Sequence, residues 1–241
     1  MGDLDPLVIA YVDAAVAQLR RLNFMSGPGN LPEAMHDSTI AVSSDWKGWK
    51  PIPSTVTDLE LDELEHQART KLPPLYRDFL KYQHFVDLTE RGVRFESHLP
   101  DRWHERLRKY WFQAWLPERV IGIGLIPFGS ETFMDAGPVC FDTRTRLSDG
   151  DCPVVFWDHD NVKTPREVQP LFSSSRAMFR CLHFVAQHDV NFTYHDKSDD
   201  PADLATKQSL MSEFLELDPK GAGGQAREYW TAWGVVPSGC H

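Results

Sequence analysis

Three things are scarce in this chain of 241 residues: cysteine, positive charge and long apolar runs. Its four cysteines are Cys140, Cys152, Cys181 and Cys240, and none forms a C-x-x-C pair. The first three sit inside apolar stretches, so reduced buried thiols in a reducing compartment are expected, with a Cys140–Cys152 disulfide as the alternative. Lys and Arg number 25 against 35 Asp and Glu, a formal net charge of −10. Such a balance repels phosphate backbones and anionic membrane surfaces at long range, which disfavours nucleic-acid binding and favours a basic protein partner. No apolar run approaches the ~20 residues that a membrane-spanning helix needs. The opening MGDLDPLVIAYVDAAV has no basic start of a secretory signal, so a cytoplasmic protein is expected, with no membrane partner. Nucleotide-binding and hydrolase signatures are missing too. There is no phosphate-cradling G-x-x-x-x-G-K-S/T and no G-x-S-x-G. Gly122-Ile123-Gly124 begins like a dinucleotide loop, but the third glycine is replaced by Pro127 and a strand follows.

What is present is 41% hydrophobic residues, enough for a sizeable core. Asp5-Pro6 suits a helix start, with Leu7, Tyr11, Ala14 and Leu22 near one face. Thr57 and Glu60 form a capping box, and Leu61, Leu64 and Ala68 line the face of the helix that follows. Pro73-Pro74 breaks it, after which Leu75, Phe79, Tyr82 and Val86 continue at helical spacing. Residues 93–97 read as a strand. The Trp-rich stretch from Pro100 reads as a helix with Trp103, Leu107, Tyr110 and Ala114 inward. VIGIGLIPFG, GPVCFDTR and CPVVFWDHD are short, β-branched and aromatic, and separated by turn residues, as neighbouring sheet strands are. Then PLFSSSRAMFRCLHFVAQHD reads as a helix capped at Ser173 or Ser174. A polar loop, a helix over 204–217 and a glycine-rich turn into REYWTAWGVV complete the chain. The expectation is one α+β domain, residues 1–241, with a mostly antiparallel central sheet flanked by helices.

Several pieces carry a family pattern. Trp49-Lys50-Pro51 is followed by the capped helix and by Leu72-Pro73, Tyr76 and Phe79-Leu80. Then come Ile126-Pro127-Phe128-Gly129-Ser130, Val139-Cys140-Phe141-Asp142 and Pro153 through Asp160, with a phenylalanine-rich helix from Phe172 to about Val185. In this order, over residues 45–188, they resemble the SUKH superfamily of fungal cell-wall-synthesis regulators and bacterial immunity proteins. The glycines usual after the Tyr/Phe helix are replaced by YQHFVDLTERG. Residues 1–44 and 195–241 fall outside the pattern as helical extensions. The resemblance implies a binding module: an immunity protein that neutralises a cognate antibacterial toxin, a nuclease effector by expectation, by occluding its active site. Fungal members imply the alternative of a non-enzymatic scaffold.

Asp158, His159 and Asp160 have the side-chain types of a catalytic or metal site, and a hydrolase is the third alternative. Strand alternation turns Asp158 and His159 to opposite faces, so three neighbours in sequence do not converge. The histidines His183, His188 and His195 have no metal-ligand spacing, since five residues do not stack two side chains on a helix. No catalytic residue, metal or cofactor is therefore expected. The residues put forward for partner binding are Asp135, Asp142, Asp149, Asp151, Asp158 and Asp160, in a region where 149–160 holds no Lys or Arg, together with Trp46. Such acids complement the basic cleft of a nuclease and raise the association rate. Ordinary turn chemistry is the competing reading of the same aspartates. Trp49 is assigned a structural role, and Trp103, Trp111 and Trp115 a place in the core.

Overall fold

Asp5 opens the first helix, its carboxylate accepting the Leu7 N–H at 2.9 Å. The computed structural model describes residues 4–42, 45–90, 92–114, 118–132, 137–158, 167–188 and 201–234. Helix α1 (Pro6–Arg21) buries Val8, Tyr11, Val12, Ala15 and Leu19. That stripe lies slightly round from the expected one. Leu7 and Ala14 fall at its margins, and Leu22 caps the helix with 38% of its surface exposed. An antiparallel pair follows, β1 (Ser26–Pro28) with β2 (Trp46–Gly48).

Strand β3 (Ile52–Pro53) leads into α2 (Asp58–Ala68) through the capping box. Thr57 Oγ1 accepts from the Glu60 N–H at 3.3 Å, and Glu60 Oε2 accepts from the Thr57 N–H at 2.9 Å. Leu61, Leu64 and Ala68 are buried, as the spacing implies. Helix α3 (Pro74–Tyr82) starts on its proline and stops at Tyr82, so Val86 lies beyond it. Arg77 ties the two helices together, bonding Asp58 at 2.9 Å, Asp62 at 3.0 Å and Glu65 at 2.8 Å. Glu65 is nearly fully buried and also receives Lys71 and the Leu72 N–H, and these donors hold its carboxyl below the usual range against the opposing cost of burial.

The short strand β4 (Gln83–His84) pairs back onto β3. The sheet then builds in chain order: β5 (Leu88–Glu90), β6 (Val93–Phe95), β7 (Leu125–Ser130), β8 (Pro138–Asp142), β9 (Val154–Phe156) and β10 (Gln169–Phe172), every neighbour antiparallel. Between β6 and β7 lie α4 (Trp103–Lys109) and a π turn over Tyr110–Ala114. The π turn changes the inward face. Trp111 is fully buried there, whereas Ala114, expected inside, is exposed. It also serves the sheet, because β7 shifts register between Pro127 and Gly129. Trp111 Nε1 donates to the Pro127 carbonyl at 2.6 Å and the Tyr110 hydroxyl to that of Gly129 at 2.7 Å. Gly129 has no room for a side chain, since a Cβ would stand 2.3 Å from the Arg94 carbonyl of β6.

Helix α5 (Ser175–Gln187) begins at Ser174, whose hydroxyl accepts from the Ala177 N–H at 3.0 Å. Leu171 and Phe172, expected at the head of that helix, belong to β10. Helices α1, α3 and α5 cover one face of the sheet with an aromatic core of Tyr11, Tyr76, Phe79, Phe95, Phe128, Phe141 and Phe179. Helix α6 (Pro201–Leu217), a π turn over Gly221–Gln225 and α7 (Arg227–Gly234) close the β10 end. There Trp230 packs between Phe172 and Phe214 and donates its indole N–H to the Leu171 carbonyl at 2.8 Å. Among the described residues, no helix is long and apolar enough to cross a membrane.

Glu90 faces inward with no ion pair among the described residues. Glu90 in β5 is 6% exposed, and burial pushes its carboxyl up to about 8. The folded state therefore keeps a proton that the unfolded chain releases above about 4.5. Its contribution to stability is fully present below that value and is lost as pH rises through about 8. Glu90→Gln removes this slope. In urea titrations the variant is expected to hold its stability from pH 7 to 9, where the parent loses it, and to exceed the parent by roughly 3 kcal/mol at pH 9.

Candidate interaction surface

CPVVFWDHD is a buried strand and its exit. Phe156, Val155 and Val154 of β9 pair with Val139, Cys140 and Phe141 of β8. Val154 and Phe156 enter the aromatic core, whereas Val155 and Trp157 pack with Val120, Leu125 and Cys140 on the opposite face. Both sides of the strand are thus covered, which accounts for its uninterrupted apolar run. Asp158 lies just past the strand and is half-buried. His159 and Asp160 lie outside the described residues, as does Asp135.

Two of the expected surface acids turn inward. Asp142 ends β8 and is 6% exposed. It accepts from the Arg144 N–H at 3.0 Å and from the same guanidinium at Nε and Nη2, both 2.8 Å. Asp151 is 4% exposed and caps α5 from a distance of 24 residues in sequence. It accepts from the Ser175 N–H (3.1 Å), the Ser175 hydroxyl (2.5 Å), the Arg176 N–H (3.1 Å) and the Cys152 N–H (2.7 Å). Asp151 satisfies buried donors, and Asp142 is paired with the partly exposed Arg144, so both carboxylates are engaged within the fold. Asp149 is exposed and accepts the Asp151 N–H at 3.0 Å, an Asx turn. Half of Trp46 is exposed, whereas Trp49 is fully buried and Trp103 and Trp111 are in the core, as expected; Trp115 lies outside the described residues.

Of the residues put forward, Trp46, Asp149 and Asp158 remain accessible. They come from three segments: β2, the turn before β9 and the exit of β9. Among the described residues, no three His, Cys, Asp or Glu side chains are grouped so as to hold a metal ion. His183 is half-buried on α5, and His188 caps that helix with Nδ1 2.8 Å from the Phe184 carbonyl. Cys140, Cys152 and Cys181 are buried free thiols, so the alternative Cys140–Cys152 disulfide is not formed. Burial pushes the Cys152 thiol up to about 11 and also raises Cys140 and Cys181, which leaves all three poor nucleophiles at neutral pH.

A sequence model of the SMI1 / KNR4 family (SUKH-1) matches residues 55–180, from the approach to α2 through the first turns of α5, just over half of the chain. The chain belongs to the SMI1/KNR4 family (SUKH-1). The matched stretch includes the whole sheet but stops short of the Trp49-Lys50-Pro51 motif, which the resemblance had counted in. No curated protein matches the chain at a significant level. Within this SMI1/KNR4 (SUKH-1) protein, exposed apolar side chains are unevenly placed. Leu22, Phe24, Val42, Trp46, Leu59 and Leu147 are the large ones among the described residues, and the first four precede the matched stretch. The sequence signalled only Trp46 of these.

Proposed function

We propose that this protein acts by binding: a cytoplasmic immunity protein that neutralises a cognate antibacterial toxin by covering its active site, without catalysing a reaction. Membership of the SMI1/KNR4 (SUKH-1) family carries this reading. The net charge of −10 supports a basic partner such as a nuclease domain, whose cleft is built to hold phosphates. Exposed apolar groups ahead of residue 55, outside the stretch that the family model matches, supply candidate anchors, and accessible acids at Asp149 and Asp158 supply steering.

The test is co-expression with the product of a neighbouring toxin-like gene, followed by a viability count and isolation of a complex. Rescue with a stable complex is expected; a chain that neither rescues nor co-purifies refutes the proposal. In that complex Trp46→Ala should weaken binding about 30-fold, the loss of one aromatic anchor worth ~2 kcal/mol. Asp149→Lys with Asp158→Lys should slow association several-fold, most at low salt. Unchanged rates and affinity in both variants would remove this surface from the proposal.

A further inference from the structure

The junction of β3, β4 and the entry to α4 holds two stacked, buried histidines that the sequence reading did not single out. His84 is 0% and His98 2% exposed. Their rings stack with centroids 4.6 Å apart, and their Nδ1 atoms stand 3.1 Å apart. The surrounding bonds assign the protons. The Thr55 N–H points at His84 Nε2 from 3.0 Å, so that nitrogen carries a lone pair. The proton of neutral His84 is therefore on Nδ1, aimed at His98 Nδ1, which must accept. The proton of His98 is left on Nε2, a buried atom with no partner. The two rings thus hold two protons between them.

A third proton has two places to go, and each breaks a bond that holds the junction. On His84 Nε2 it displaces the Thr55 N–H, with the Thr55 hydroxyl at 3.0 Å left to accept it. On His98 Nδ1 it displaces the His84 Nδ1–H, with the Gln83 carbonyl at 3.2 Å left to accept it. In either case the added positive charge is buried beside a second ring that carries no compensating charge. The junction matters because short elements meet there. β3 is tied to β4 by Ile52–His84 and Pro53–Gln83, and Thr55 hangs from His84 just before the α2 cap. On the other side Phe85 and His98 exchange two backbone bonds of 3.0 Å, five residues before α4, and His98 packs on Trp103 of that helix.

We propose that His84 and His98 form a proton-operated latch, which clasps the approaches to α2 and α4 onto β4 and releases them when the pair takes up a third proton. Burial lowers His98 to about 3, with the His84 charge adding to it, and burial also lowers His84. The charged groups that face the pair are Asp101, ahead of α4, and Glu60, in the first turn of α2. Both act on His84 and favour its charged form, but less than burial opposes it. The remaining neighbours, Thr55, Gln83, Phe85 and Trp103, carry no charge. Because the closed state excludes protons that the released state accepts below about 6.5, acid favours release. The sign is opposite to that of Glu90, and each histidine contributes up to about tenfold per pH unit. The latch is independent of which partner the protein binds.

Hydrogen exchange of the full chain, read amide by amide between pH 7.5 and 5 and corrected for intrinsic rates, tests it. Protection at Thr55, Phe85 and His98 should fall at least tenfold per pH unit below about 6, while amides of the β7–β8 ladder keep theirs. In His98→Phe the same three amides should lose the His98 share of this pH dependence and keep only that of His84. Ring-nitrogen spectra of the parent at pH 7.5 should show His84 protonated at Nδ1 and His98 at Nε2, a readout that does not require the variant to fold. Protection unchanged at the three amides down to pH 5, loss shared equally with the β7–β8 ladder, or the opposite tautomers would each overturn the latch.

Discussion

Replacing Asp151 with alanine is expected to destabilise the fold by about 4 kcal/mol. The carboxylate is the shared acceptor for the N–H groups of Cys152, Ser175 and Arg176 and for the Ser175 hydroxyl, all held in a buried corner where α5 begins. Alanine would leave those donors facing apolar neighbours, and an unmet buried donor costs about 1–3 kcal/mol, lessened where the corner relaxes toward water. The Ser174 cap survives, so α5 still forms, but it loses its anchor to the β8–β9 connection. Asp151→Asn keeps one acceptor oxygen and turns an amide N–H₂ toward the remaining donors, so it should recover about half of the loss. Urea unfolding followed by far-ultraviolet circular dichroism reads both. A loss below ~1 kcal/mol in Asp151→Ala would mean that Asp151 is not the cap of α5.

Gly221→Ala is expected to cost as much, about 4 kcal/mol, for a steric reason. A Cβ there would lie 2.1 Å from the Ser173 amide nitrogen, 2.2 Å from Asp218 Oδ2 and 2.6 Å from the Phe172 carbonyl carbon. Two of those three atoms are backbone of β10 and its exit, so the added methyl cannot be accommodated by turning a side chain. The third belongs to an acid that is itself 2% exposed and accepts from Ser173 (N–H 2.8 Å, hydroxyl 2.5 Å), Gly221 (3.0 Å) and Ala222 (3.0 Å). Displacing it removes the overpacking only by breaking those bonds. The variant should unfold at lower urea concentration with an unchanged slope, and tryptophan fluorescence should report the loss around Trp230.

Local features were legible because their partners are near in sequence. The Thr57–Glu60 box spans three residues, and the Leu61, Leu64, Ala68 face repeats at helical spacing. The three central strands were legible as apolar runs, and their antiparallel pairing followed from the turns between them. Strand β5, Leu-Thr-Glu, was not, because three residues show no alternation to count. Strand β10 is four residues long and includes Pro170, so it shows no strand pattern, and Phe172 reads as part of the phenylalanine-rich helix that follows. The face of α4 was misread beyond Lys109 because a π turn adds a residue to the period that helical counting assumes.

For the candidate surface, composition identified acids without saying which way they point. Asp149 and Asp151 are two residues apart, yet one is exposed and the other caps a helix 24 residues on. Only the folded chain separates them. His84 and His98 meet in the same way, across 14 residues, at the isolated bridge between Phe85 and His98.

The family signature and the cooperative unit of this protein have different borders. Tyr11, from a helix that lies wholly before residue 55, sits at the centre of the aromatic core, within 6.5 Å of the rings of Phe79, Phe95 and Phe179. Trp230 and Asp218, from beyond residue 180, complete β10 from the other side. A fragment trimmed to residues 55–180 would therefore carry a hollow at its middle and an open seam at one edge. The flanks, which the family model does not match, are thus as much a part of this protein's core as the strands it does match.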